Sequence, residues 1–251
     1  MINNDINMRN RYTLIIILIL GFLNIKNYAQ PFSGGSGSKA DPYLIETPAQ
    51  LDSVRNYLSS HFILSNNIDL SAYTNWEPIG NNTNKFTGSF DGNNYQINNL
   101  NINNPTSNSQ GLFSYFQPTT AKDSIKNLKL SNVAIHAYDS SGAVVAKMYN
   151  GTIYNCSVEG TIQGNQRFAS FAGYISSSVV KQCNANVTLA GNGRIGGLVG
   201  WLTSSAISKC YCLGTITVEG SEVGGIAYFA DNSSCSVQEC FSDMVLTANN
   251  S

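Results

Sequence analysis

Charge is scarce in this sequence. Asp, Glu, Lys and Arg make up 12% of the residues, about half the roughly 25% of an ordinary soluble domain. The 14 basic and 15 acidic residues nearly cancel. No basic stripe can be built from them to neutralise phosphates, so nucleic acid is excluded as a partner. With 42% apolar residues the chain also lacks the composition of a disordered tail. Only two histidines occur, His61 and His136. No C-x-x-C spacing, no HExxH and no G-x-S-x-G motif is present, so zinc-site and nucleophile-elbow readings have no support. Cofactors are expected to be none.

The one long apolar run, Leu14–Leu20 extended by Phe22 and Leu23, follows Arg9 and Arg11 and precedes Tyr28-Ala29-Gln30. It is shorter than the roughly 20 residues that a membrane span needs. Residues 1–29 therefore read as a secretory signal peptide cut near Ala29, with a retained N-terminal anchor as the alternative. After cleavage no membrane span is expected. Removing Arg9, Arg11, Lys26 and Asp5 leaves a mildly acidic exported protein.

What is abundant is repetition. Cys156, Cys183, Cys210 and Cys240 are spaced by 27, 27 and 30 residues. Ile153, Val180, Ile207 and Val237 lie three residues before them, and Ile162, Leu189, Ile216 and Leu246 six residues after. The same frame extends upstream with Leu128 and Leu100 in place of Cys. Apolar and polar residues alternate within each unit, as in Thr215-Ile216-Thr217-Val218, and Gly, Asn and Ser punctuate the units. A period near 27 with several short strands describes one coil of a parallel β-solenoid. Leu100, Leu128, Cys156, Cys183, Cys210 and Cys240 then form an inward ladder. Stacked positions lie about 4.8 Å apart with parallel side-chain vectors, a poor geometry for disulfides. Buried thiols are the favoured reading of the ladder and of Cys212, with a disulfide framework as the rival. Cys235 is the thiol most free to pair.

Residues 30–40, rich in Gly and Ser, read as a flexible lead-in to a β-helix domain spanning 41–251. Within it, 41–60 is the N-terminal cap and 61–251 the coils. Thr47 as N-cap, Pro48 at the first helical position and the stripe Leu51, Val54, Leu58 predict the one amphipathic helix.

Two outward features bear on binding. Tyr115, Tyr174, Trp201 and Tyr228 follow the Gly-rich clusters, with Ala146 interrupting the column. Such a column suits stacking against sugars or partner side chains; aromatics lying inward or covering a corner of the helix are the favoured reading. Thr161, Thr188 and Thr215 stack as on ice-binding solenoids, but Val245 breaks the array. Carboxylates are scattered: Glu159 and Asp243 share a phase but are separated by Asn186 and Leu213, and neither His has an evident acidic partner.

The clusters Gly196-Gly197-Leu198-Val199-Gly200 and Gly224-Gly225-Ile226-Ala227 resemble the GLUG motif of bacterial secreted repeat proteins. Asp41-Pro42-Tyr43, Trp76-Glu77-Pro78-Ile79-Gly80 and Phe86-x-Gly88-x-Phe90-Asp91-Gly92 are similar to the segment that often precedes such repeats. The resemblance implies a right-handed parallel β-helix on secreted or surface proteins, among them adhesins and the non-catalytic part of some immunoglobulin-cleaving metallopeptidases. Tyr28-Ala29-Gln30 suits a Bacteroidetes-like exporter. The units at Gly142 and Ser170 depart from the pattern by lacking the paired Gly.

The expected fold is thus all-β, a right-handed parallel β-helix of about six coils with an N-terminal capping helix. The expected function is non-catalytic adhesion or ligand display at the bacterial surface, toward a glycan or a surface protein. The alternatives are a carbohydrate-active lyase or hydrolase and a structural spacer. A C-terminus reached just after a coil suggests end-to-end association with another subunit, or a fragment.

Overall fold

A computed structural model describes residues 31–120, 123–219 and 222–248; the expected signal peptide lies outside them. The chain winds into a parallel β-solenoid of about seven turns, almost all sheet, with one short helix. One turn passes through four strands: Thr152–Tyr154, Ser157–Gly164, Gln166–Ala169 and Ala172–Ser176. Stacking of successive turns gives a narrow sheet of three- and four-residue strands, a wide sheet, a short ribbon and a fourth sheet, here called the aromatic sheet. The count exceeds the expected six because the cap contributes its own strand, Tyr43–Ile45, which pairs with His61–Leu64.

Corners set the 27-residue period. Asn99, Asn127, Asn155, Gln182, Lys209 and Glu239 all have positive φ, and each immediately precedes a rung residue of the ladder. A left-handed residue turns the chain sharply, and Asn tolerates it because its short side chain bonds locally. These side chains also stack: Asn155 Nδ2 donates to Asn127 Oδ1 at 2.8 Å, and Asn127 Nδ2 to Asp91 Oδ1 at 3.0 Å. Ser177 and Ser204 mark a second corner and Ser140, Arg167 and Arg194 a third.

The repeat frame is the observed register. Ile153 pairs with Val180, Val180 with Ile207 and Ile207 with Val237. Leu100, Leu128, Cys156, Cys183 and Cys210 are buried, and Cys240 is half-buried. All six cysteines are free. Each ladder thiol donates to the carbonyl two residues before it, at 3.3 Å for Cys156, 3.2 Å for Cys183, 3.1 Å for Cys210 and 3.2 Å for Cys240. Burial, and then the hydrogen bond with Cys156, push Cys183 well above the usual thiol range; for Cys210 the neighbouring Cys183 leads, followed by burial. Burial alone raises Cys212 to about 12. Thiolate is the reactive form, so a thiol reagent at mildly alkaline pH should label Cys235 and Cys240 of the native protein and spare the four buried thiols. All six should react once the chain is unfolded. Rapid labelling of Cys183 in the native state would contradict this packing.

The N-terminal end is closed as the sequence predicts, but with two corrections. Thr47 caps the helix Pro48–Ser53 by accepting from Gln50 N, and Leu51 and Val54 are buried. The helix ends earlier than the Leu51–Leu58 stripe implies: Val54–Asn56 tightens to a 3₁₀ turn, and Tyr57 leaves helical geometry. Residues 30–40 were expected to be flexible, yet 32–40 are fastened. Phe32 is buried and stacks on Tyr43 at 4.4 Å. Ser33 N donates to Leu44 O, and Leu44 N to Gly34 O, covering the outer edge of the first strand. An uncovered edge would be a template for other chains, which is the physical reason this segment is ordered. The compact unit therefore begins at Phe32.

At the other end of the described residues, Val237 and Leu246 are exposed, although Ile207 and Ile216, their counterparts one turn earlier, are buried; Phe241 and Val245 are exposed as well.

Candidate functional site

The aromatic sheet contains Phe113–Phe116, Val145–Tyr149, Ala172–Ser176, Val199–Thr203 and Ala227–Ala230. Phe116, Met148, Ile175 and Leu202 are in register and buried. Strand alternation then turns the neighbouring column outward, where all but the last residue, the exposed Phe229, are half-buried. That column is Tyr115, Lys147, Tyr174, Trp201 and Phe229.

Tyr115, Tyr174 and Trp201 thus share one column, as the repeat spacing suggested, and it faces outward, where an inward or corner position was favoured. Two of its expected members are corrected. The interruption is Lys147, since Ala146 is buried. The last ring is Phe229, since Gly196 pairs with Gly224 and the fifth residue after each is Trp201 and Phe229. Tyr228 lies one position earlier, level with Gly200, although its ring remains 6.4 Å from that of Trp201.

The rings make two contacting groups on this face. Trp201 and Phe229 are 4.5 Å apart between centroids, and Tyr174 lies 5.8 Å from Tyr149, a residue of the adjacent column that sequence reading missed. Lys147 Nζ lies 5.6 Å over the ring of Tyr115, and Lys85 Nζ 6.0 Å over that of Tyr149. Burial first, and then the nearby Tyr174 and Tyr115 phenols, raise the Tyr149 pKa above its ordinary value. Its hydroxyl stays protonated at physiological pH and can donate.

The other outward faces are different in chemistry. Thr161, Thr188 and Thr215 are in register on the wide sheet, bounded by Ala134 and Val245. Glu159, Asn186, Leu213 and Asp243 are likewise level, so the two carboxylates stand three turns apart with no acid between them. Among the described residues no three His, Cys, Asp or Glu gather as metal ligands.

One polar cluster was not anticipated. His61, expected to lack an acidic partner, has Asp123 Oδ1 at 3.9 Å and Ser89 Oγ at 2.8 Å, both from Nδ1. A Ser–His–Asp relay needs the two ring nitrogens to face the hydroxyl and the carboxylate separately; here one nitrogen faces both. The Asp123 oxygens accept instead from Lys39 at 2.6 Å and Thr120 at 2.8 Å. The cluster is a fastening of the lead-in onto the coils. Burial pushes the Asp123 pKa up, but the Lys39 and Thr120 hydrogen bonds and the nearby charges outweigh it and hold the carboxyl below its ordinary value. A depressed carboxylate stabilises the fold above its unfolded pKa, and that contribution is lost as pH falls through the folded one. Asp123→Asn should lower Tm by roughly 2–4 °C at pH 7, the shift for about 1 kcal/mol in a chain of this size. The gap to the parent should close in acid below the carboxylate range. A gap independent of pH would contradict this assignment.

No family model matches the chain. A 137-residue stretch, 51% of the chain, is 43% identical to a protein of Evansella cellulosilytica named as a candidate Gly-rich membrane protein, and covers 16% of it. A stretch of 157 residues, 58% of the chain, is 34% identical to a halomucin of Haloquadratum walsbyi, and covers 2% of it. The chain therefore spans only a small part of the curated relatives it matches. A crystal structure of a candidate immunoglobulin A1 protease from Bacteroides ovatus superposes with a TM-score of 0.71 over 86% of this chain and 70% of that one, at 21% identity. That likeness shows the β-helix fold alone. No helix among the described residues is long and apolar enough to cross a membrane.

Proposed function

We propose that this chain is a non-catalytic, exported β-helix of the cell surface, and that the outer face of its aromatic sheet is its binding surface. The observation that carries this reading is the column Tyr115–Lys147–Tyr174–Trp201–Phe229, which gathers large rings on one face. The wide sheet presents Thr and Asn instead. Solvent-facing rings are well suited to stack on sugar faces or partner side chains. The names of the relatives, a membrane protein and a halomucin, are compatible with a surface location. The GLUG-like clusters and the Leu14–Leu23 run support export, and Tyr28-Ala29-Gln30 suits a Bacteroidetes-like bacterium.

The test is binding of labelled protein to a printed panel of glycans and extracellular-matrix proteins, repeated with Trp201→Ala. Trp201 is half-buried on the outer face, so the variant should fold normally while its signals fall by tenfold or more, as for a lost aromatic anchor of about 1–3 kcal/mol. Signals that survive in the variant would place binding elsewhere. Release of new reducing ends or unsaturated sugars from a bound glycan would replace the non-catalytic reading by the lyase or hydrolase one.

A further inference from the structure

The outward column contains a charge pattern as well as rings. Phe86 bridges to Phe116, and Phe86 N donates to Tyr115 O. Lys85 is therefore level with Tyr115 and extends the column by one turn. From the N-terminal side it reads Lys85, Tyr115, Lys147, Tyr174, Trp201, Phe229. The two lysines alternate with tyrosines and stand two levels apart, about 9–10 Å at the spacing of adjacent strands.

Neither lysine has a carboxylate within ion-pair distance among the described residues: the ion pairs there belong to Lys39, Arg55, His61, Lys126, Arg167, Arg194 and Lys209. Among the described residues six of the ten Lys and Arg are ion-paired, so two unpaired ammonium groups on one aromatic face stand out. Each is oriented by a ring beneath it, Tyr115 under Lys147 and Tyr149 under Lys85. The neighbouring acid, Asp231, lies at the far end of the sheet and accepts from Thr203 at 2.8 Å. The N-terminal two thirds of the face is thus aromatic and positive, with the Tyr149 phenol kept neutral as a further donor.

We propose that this face binds acidic polysaccharide, laid along the solenoid axis. A pyranose ring stacks on Tyr174 and Trp201, and uronate carboxylates meet Lys147 and Lys85. This rests on the reading of the aromatic sheet as the binding surface and names its ligand class. Aromatic rings select sugar faces irrespective of charge, whereas the desolvated edge of a lysine column favours anions. A neutral glycan would leave both ammonium groups without a partner.

The experiment measures binding to immobilised hyaluronan and polygalacturonate, and to the same polymers after chemical reduction of their carboxylates. The parent should bind the acidic polymers in a salt-sensitive way and the reduced ones at least about tenfold more weakly, the loss expected for one charge-assisted hydrogen bond. Lys147→Met should lose about the same factor on the acidic polymers only, and Lys147→Arg should retain binding, with melting temperatures unchanged. Equal affinity for acidic and reduced polymers, no binding to either acidic polymer, or unaltered binding by Lys147→Met overturns the proposal. Binding to neutral glycans that disappears in Trp201→Ala would overturn the acidic class while leaving the aromatic binding surface intact. Binding that is indifferent to Trp201→Ala would remove both.

Discussion

Truncating Phe113 to alanine should lower the free energy of unfolding by about 3–5 kcal/mol. Phe113 is fully buried where the aromatic sheet meets the interior, at the turn that joins the N-terminal coils to the regular repeats. Its ring stacks on Phe86 at 4.7 Å and meets Phe90 edge-on at 5.5 Å. Its backbone bridges Ile79 on one side and pairs with Val145 on the other. The neighbouring rings are held by their own strands and cannot collapse into the space, so the cavity term adds to the lost transfer energy. Each coil of a solenoid touches only its neighbours. The loss should therefore appear as earlier melting of the N-terminal coils in urea, followed by circular dichroism and by hydrogen exchange of the strands around Phe90 and Val145. A loss under about 1 kcal/mol would mean that the aromatic stack is not what holds these coils together.

Gly160→Ala is the second large effect, expected at about 2–4 kcal/mol from backbone strain and overpacking together. Gly160 sits in the strand Ser157–Gly164 at a break in register with the preceding turn, with φ 145. That turn contains Asn132 at φ 51. A Cβ on Gly160 would stand 2.2 Å from the carbonyl oxygen of Val133 and 2.5 Å from its nitrogen. Both atoms belong to the ladder and cannot move without opening it. Gly193→Ala is the matched control, because Gly193 has φ 153 but nothing within 4 Å of its Cβ position. Denaturation midpoints of the two variants separate strain from collision. Equal losses would show that the close carbonyl contributes nothing.

How far the structure could be read from the residues depended on what repeats. The ladder from Leu100 to Cys240 was legible because one chemical property recurs at a fixed interval, and stacking turns that interval directly into register. The same arithmetic placed Tyr115, Tyr174 and Trp201 in one column. It failed for the last ring because the doubled glycines offer two ways to count, and only the pairing of Gly196 with Gly224 selects Phe229 over Tyr228. Ala146 was placed at the level that Lys147 occupies, although one period of 27 residues back from Tyr174 is Lys147. Ser89 lies one turn from His61, pairs with it, and was within reach of the periodicity. Asp123 was not, since the residues level with it in later turns are Gly151, Ser178 and Ser205, and none of them repeats the carboxylate. The segment 32–40 was misjudged from its Gly and Ser content. Phe32, an aromatic just ahead of that run, was the signal that it docks.

The hydrogen bonds between successive turns all run along the long axis of the solenoid. A pull along that axis therefore does not shear the strands past one another but peels them apart, one turn after the next. Each turn that opens between two corners pays out about 90 Å of extended chain for its 27 residues. A protein tethered at one end and gripped on its aromatic face would lengthen in steps under load, and the turns beyond the grip would carry no tension.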